Sequence, residues 1–153
     1  MPLTESFANE LADLLFEAIR LENFGDAFGL DAPGAGAYYV RLHTASPTYS
    51  GSFSNEATFT GYAAQYVNLE SGWDVIEPTG EITNVAKITF PECTGGSETI
   101  THFSLGRSAT GTSPGGQPGG DMFIYGQLST PRAVTSGTIL EFDVSELTIT
   151  IQS

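Results

Sequence analysis

Ala37-Tyr38-Tyr39-Val40-Arg41-Leu42-His43 is the stretch that decides the fold, because here the hydrophobic period of the chain falls from 3.6 to 2. In an extended strand Tyr38, Val40 and Leu42 share one face, and Tyr39, Arg41 and His43 the other. The same reading predicts further strands at Thr58–Leu69, Gly72–Glu77, Glu81–Phe90, Thr99–Gly106, Met122–Leu128, Thr138–Phe142 and Glu146–Ile151. The last is the cleanest: Leu147, Ile149 and Ile151 alternate with Thr148, Thr150 and Gln152. Short strands with frequent turns predict a mainly β fold, an antiparallel β-sandwich or jelly-roll-like domain over residues 37–153.

Upstream of this stretch the period is helical. Phe7, Leu11, Leu14, Leu15, Ala18 and Leu21 form one apolar stripe between Thr4 and Glu22, with Asn9, Glu10, Asp13, Glu17 and Arg20 on the other side. Thr4 is suited to the N-cap, Glu5 to the positive helix end and Arg20 to the negative end. Residues 1–24 are therefore expected to form one amphipathic helix. Its Phe7, Leu11, Leu14, Leu15 and Ala18 stripe is available to bind either the β domain or a partner. A Gly- and Pro-punctuated loop from Asn23 to Gly36 separates it from the first strand. Two later loops stand out: Ala45 to Asn55, polar with aromatic punctuation, and Ser108 to Gly120, rich in Gly and Pro. A hairpin spanning the second is expected to join the strands ending at Gly106 and beginning at Met122.

Length and charge narrow the function. A chain of 153 residues suits one domain with a real core. Its 18 acidic and 5 basic residues leave a net charge of -13, which repels phosphate backbones and anionic lipid headgroups alike. Nucleic acid and membrane are thus excluded as direct partners, whereas a basic protein surface is favoured. No secretory signal pattern opens the chain and no apolar run approaches the ~20 residues of a membrane span. The lone Cys93 permits no internal disulfide and reads as a half-buried residue at a strand end.

No catalytic, metal or cofactor site emerges from the residues. Gly111-Thr112-Ser113-Pro114-Gly115 matches G-x-S-x-G, but Pro114 stands where an oxyanion-hole N–H is needed, in a loop between strands. His43 and His102 follow no metal-ligand spacing and read as strand-surface or hydrogen-bonded histidines. A Cys93–His102 pair lacks an orienting third group. Glu141 and Asp143 share a strand face roughly 7 Å apart, as glycosidase carboxylates do, yet in so acidic a chain a solvated face explains them better. Tyr38, Tyr39, Tyr49, Phe53, Phe59, Tyr62, Tyr66 and Trp73 read first as packing, with Tyr49 and Phe53 as the candidate receptor-loop aromatics.

Tyr39 to Pro47, Asn55-Glu56, Gly61 to Ala63, Ile82 to Pro91, Ile100 to Leu105, Tyr125 to Arg132 and Ile139 to Ile151, in that order, resemble a family of small bacteriophage tail-fibre-like or virion structural proteins. Tyr39-Val40-Arg41-Leu42-His43-Thr44-Ala45-Ser46-Pro47 is similar to that family's "LYVGLHTADP", and Asn55-Glu56 with Gly61-Tyr62-Ala63 to its "NEV…GYAR". Ile82 to Pro91 resembles "…NTAAITFP", Ile100 to Leu105 "VTHFGLFD", and Tyr125 to Arg132 "YSGALTTPR". The tail from Ile139 to Ile151 resembles "…PSFAAGALTVTL". The chain departs at Ala64-Gln65, where the family commonly has Arg, and in its longer loop at Gly111 to Gly120.

The resemblance implies a non-enzymatic virion structural protein, without catalytic residues or cofactors, made in a host bacterial cytoplasm and carried in the particle. Its implied partners are other virion proteins, the major capsid protein or tail proteins, and further copies of itself as a trimer or dimer. An acidic β domain bearing one apolar helix stripe fits a subunit docked on a larger shell. A capsid decoration (cement or head-fibre) subunit is therefore the first expectation. A tail-fibre or baseplate subunit, with or without carbohydrate-receptor binding, is the alternative.

Overall fold

Tyr38, Tyr39 and Val40 give β1 (Ala37–His43) side chains that favour the extended, pleated backbone found there. The structure is a computed structural model and describes residues 37–47, 54–68, 71–76, 79–106 and 122–150. The described residues also hold β2 (Gln65–Asn68), β3 (Trp73–Ile76), β4 (Glu81–Asn84) and β5 (Ile88–Thr89). β6 (Ser97–Gly106), β7 (Met122–Thr135), β8 (Glu141–Phe142) and β9 (Thr148–Thr150) follow. The fold is mainly β, with antiparallel pairing in its sheets, as the period-2 segments require. The expected helix at residues 1–24 lies outside the described residues.

The chain divides into two compact units. The first comprises Tyr38–Val67 and Thr89–Glu141, the second Asn68–Ile88 and the chain from Phe142 onward. In the first unit the sheet order is β2-β1-β6-β7. β1 pairs with β6 from Tyr39↔Gly106 to His43↔His102, and β6 with β7 from Ser97↔Thr135 to Gly106↔Met122. The last pair is the hairpin expected between Gly106 and Met122. β7 nevertheless runs past Leu128, where the sequence reading ended it, to Thr135. Between the pairs Ile100↔Arg132 and His102↔Gln127, Thr101 of β6 faces the four residues Leu128–Pro131 of β7. This bulge absorbs Pro131, which has no N–H to give a regular ladder.

The predicted strand Thr58–Leu69 is reduced to β2. Gly61 has φ 98°, and a Cβ there would lie 2.5 Å from the Glu92 carbonyl oxygen, so the chain turns closely against its neighbour instead of running straight. Tyr62 N–H closes that turn on Phe59 O at 3.0 Å. The apolar row Tyr38, Val40 and Leu42 is buried, with Phe59, Phe90 and Leu105 also in the core. Fully burying such side chains is worth about 1.5–3 kcal/mol each. Gly126 is required in β7 because a Cβ would meet the Phe103 ring at 2.8 Å. Thr138–Leu140, expected as strand, instead bonds to the segment before β6: Leu140 O accepts Phe90 N–H and Thr138 O accepts Cys93 N–H, each at 2.9 Å.

The second unit contains the sheet β3-β4-β9. Trp73↔Asn84 to Ile76↔Glu81 set one ladder, and Glu81↔Thr150 to Thr83↔Thr148 the other. The single predicted strand Glu81–Phe90 is broken after Asn84, and β5 resumes at Ile88. Asn84, fully buried, explains the break. Its Nδ2 donates to Ala86 O and Asp143 O at 2.8 Å, and its Oδ1 accepts Leu147 N–H at 2.9 Å. Its own carbonyl accepts Ser145 N–H at 2.9 Å, so one amide side chain and its backbone hold two turns in place.

Candidate functional site

Two of the three residues in the second row of β1 are buried as deeply as the apolar row, while Tyr39 is half-buried. Arg41 and His43 keep 1% and 0% of their surface exposed. Segment 54–57 is tied to the end of β1: Thr44 N–H donates to Asn55 O and Ala57 N–H to Leu42 O, both at 2.9 Å. That pairing brings Glu56 beside Arg41, with Nε to Oε1 at 3.2 Å. Tyr62, held by the Gly61 turn, donates its hydroxyl proton to Glu56 Oε1 at 3.0 Å and accepts Leu42 N–H at 3.1 Å. Its ring stacks on Phe90 and meets Phe59 edge-on.

His43 has one readable tautomer. Ser54 O can only accept, so Nδ1 carries the proton and donates to it at 3.1 Å. Nε2 then accepts from Ser104 Oγ at 2.7 Å. Burial holds this imidazole below its ordinary range, with smaller contributions from the Arg41 and His102 charges, while the bond to Ser54 acts in the opposite sense. Burial also raises the Glu56 carboxyl above its ordinary range, outweighing Arg41 and the Tyr62 hydroxyl. The Tyr62 phenol is pushed far up by burial and by the Glu56 carboxylate.

A serine bonded to an imidazole that is oriented from its far side has the connectivity of a nucleophile and base. Ser104 and His43 are each 0% exposed, however, so no substrate atom reaches Oγ. The pair fastens segment 54–57 and β6 to β1, and the cluster's chemistry is that of a clasp. The sequence reading passed over Ser104, Glu56, Tyr62 and Asn84 as working residues, since their spacing in the chain gives no sign that they converge.

The other residues singled out from sequence are dispersed. Cys93 is fully buried between β5 and β6 rather than half-buried at a strand end, with Sγ directed at Gly95 O at 3.4 Å. His102 faces His43 in register and is bonded to Thr101 Oγ1 at 2.8 Å. Glu141 lies on β8, where Thr89 Oγ1 donates to it at 3.1 Å, while Asp143 lies beyond the strand and pairs with Lys87 at 2.9 Å. Among the described residues no group of three His, Cys, Asp or Glu side chains is placed to hold a metal, and no helix is long and apolar enough to cross a membrane. Of the aromatics, Tyr38, Phe59 and Trp73 are core, and Tyr39 and Tyr66 meet edge-on at 5.9 Å with Tyr66 exposed. The helix stripe Phe7, Leu11, Leu14, Leu15 and Ala18, the loop residues Tyr49 and Phe53, and the 111–115 motif all lie outside the described residues.

The described residues thus form an antiparallel β protein in which a buried polar cluster holds segment 54–57 and β6 to β1. The chain belongs to the family described as podophage GP4 fiber I protein gp80, whose family model matches residues 25–150. That membership supports a phage virion structural protein of a fibre family, in agreement with the resemblance read from the sequence. No curated protein matches the chain.

Proposed function

We propose that this chain is a non-enzymatic structural subunit of a podophage fibre, carried in the virion and joined to other virion proteins. The observation that carries this reading is the fibre-family match over residues 25–150. The clasped β1–β6 region supports it, because a subunit outside the cell depends on a fold that holds without chaperones or cofactors. In this role the described strands belong to a sandwich or jelly-roll-like body over 37–153. The helix of residues 1–24 docks that body on the particle through Phe7, Leu11, Leu14, Leu15 and Ala18. Fibre now precedes capsid decoration, since only size and acidity favour the latter. Receptor contact through Tyr49 and Phe53 is a further capacity of the fibre reading.

Immunogold electron microscopy of purified particles with antibody against this chain tests the proposal. Label on projecting fibres or the tail is expected. Label distributed over the heads would replace the fibre reading with decoration. Unlabelled particles that still contain no copy by mass spectrometry would remove the chain from the virion altogether.

A further inference from the structure

His43 is fully buried, and the two elements that bond its ring are of unequal strength. One is β6, ten residues long and laddered to both β1 and β7, which fixes Ser104 where it donates to Nε2 at 2.7 Å. The other is segment 54–57, which meets β1 by the single bridge His43↔Glu56. Its backbone bonds to the end of β1 are Thr44 N–H to Asn55 O and Ala57 N–H to Leu42 O. Beyond Ala57 the chain is anchored again. Both carboxylate oxygens of Glu98 accept Thr58 N–H, at 3.1 and 3.0 Å, and Thr60 N–H donates to Gly95 O and Thr94 N–H to Thr60 O at 2.9 Å. Segment 54–57 is therefore the partner that can leave the histidine while the sheet stays intact.

We propose that His43 is an acid-sensitive latch: once protonated, it releases segment 54–57 from β1 while β1, β6 and β7 remain paired. In the neutral ring Nδ1–H donates to Ser54 O, and Nε2 accepts the Ser104 proton. A proton added at Nε2 turns that acceptor into a donor facing a donor, so the Ser104 hydroxyl has to rotate. It also sets a second positive charge beside Arg41 on β1 and in register with His102 on β6. Glu56, the carboxylate on the segment itself, is already engaged by Arg41 Nε and by the Tyr62 hydroxyl. Swinging the segment outward from its Thr58 anchor lets water solvate the imidazolium. The burial that holds this ring below its ordinary range is what the opening removes, so acid favours the open arrangement. Its window starts below the unshifted value of 6.5 and runs down through the closed-state value. Glu56, its carboxyl raised from 4.5, acts in the opposite sense and does not drive the release. The inference does not depend on the fibre assignment.

The test is hydrogen exchange read by mass spectrometry on the full chain from pH 8 to pH 5, with rates corrected for the intrinsic effect of pH. The Thr44 and Ala57 amides are expected to lose protection as the pH falls, while the amides of β6 keep theirs. His43→Gln, which retains a donor and an acceptor, is expected to hold the same protection throughout, and His102→Gln to behave as wild type does. If far-ultraviolet circular dichroism shows that His43→Gln has lost its fold, Ser104→Ala takes its place. That variant removes the bond that favours the neutral ring, so the loss of protection is expected to begin at higher pH than in wild type. Wild-type Thr44 and Ala57 amides equally protected at every pH would overturn the proposal. So would a loss that β6 shares, a loss that persists in His43→Gln, one that His102→Gln abolishes, or one that Ser104→Ala leaves at the same pH.

Discussion

Two buried polar arrangements perform the same task in this protein with opposite chemistry. Asn84 holds two turns with a neutral amide, and the partners of its three side-chain bonds are all backbone groups. The β1 clasp holds segment 54–57 with ionisable groups, Arg41, Glu56, Tyr62 and His43, which bond one another as well as backbone. A neutral amide contributes the same at any pH and costs less to desolvate than a charge. A charged network is directional and strong once formed, but it carries the cost of burying its charges and depends on their protonation. The difference predicts that the two regions fail under different conditions.

The largest effect is expected at Asn84. Asn84→Ala leaves Leu147 N–H without its partner in a buried place and Ala86 O and Asp143 O without theirs in part-buried ones, at a cost of about 4 kcal/mol from the summed losses. Urea unfolding at pH 5 and pH 8 should give the same loss at both. Glu56→Ala comes next, at about 3 kcal/mol, because it leaves the guanidinium of Arg41 buried without its carboxylate; the 27% exposure of Glu56 moderates the penalty. Here the loss should change with pH. Equal pH profiles for the two variants would break the comparison.

How much of this was legible follows the same line. The strands were readable because burial of one face imposes a period of 2, and Tyr38, Val40, Leu42, Leu147 and Ile149 obey it. Where a polar group overrides the pattern, the sequence misleads. Glu81–Phe90 reads as one strand because nothing in its pattern says that the Asn84 side chain will replace ladder bonds. Arg41 and His43 read as the outer row of β1 because the segment that buries them lies more than ten residues downstream. The strings Asn55-Glu56 and Gly61-Tyr62 were noticed through resemblance, yet their convergence on Arg41 and Leu42 is a property of the fold alone. Ser104 pairs with a histidine 61 residues away, a separation that no local spacing rule addresses. β7 was cut short at Leu128 because Pro131 is a strand breaker unless a bulge accommodates it.

A smaller effect isolates the histidine within the clasp. His43 has a folded-state pKa below its unfolded value of 6.5, so it contributes stability that is present above pH 6.5 and lost as pH falls through the folded value. Glu56, raised from 4.5, contributes in the opposite sense: its contribution is present at low pH and lost as pH rises through its folded value. In thermal scans from pH 8 to pH 5, the His43 part should therefore lower the midpoint below about pH 6.5, the unfolded histidine value, against an opposing rise from Glu56. His43→Gln keeps a donor and an acceptor without a titrating ring, and it should flatten that decline. A variant with an unchanged slope would move the acid sensitivity elsewhere and reduce His43 to a neutral packing group.

Asp143 provides the finest test, since it takes part in both a part-buried and an exposed interaction. Its backbone oxygen accepts from Asn84 Nδ2, while its carboxylate pairs with Lys87 at 2.9 Å with the two side chains 48% and 73% exposed. Exposed pairs of this kind are worth about 0.2–1 kcal/mol and are screened by salt. Lys87→Ala should therefore cost no more than about 0.5 kcal/mol, a loss that disappears in high salt. Combined with Asn84→Ala, the two losses should add if the turn is held by its backbone bonds alone. A coupling well above about 0.5 kcal/mol would mean that the surface pair helps to position the Asp143 carbonyl. The neutral clasp would then share the electrostatic dependence that now distinguishes the charged one.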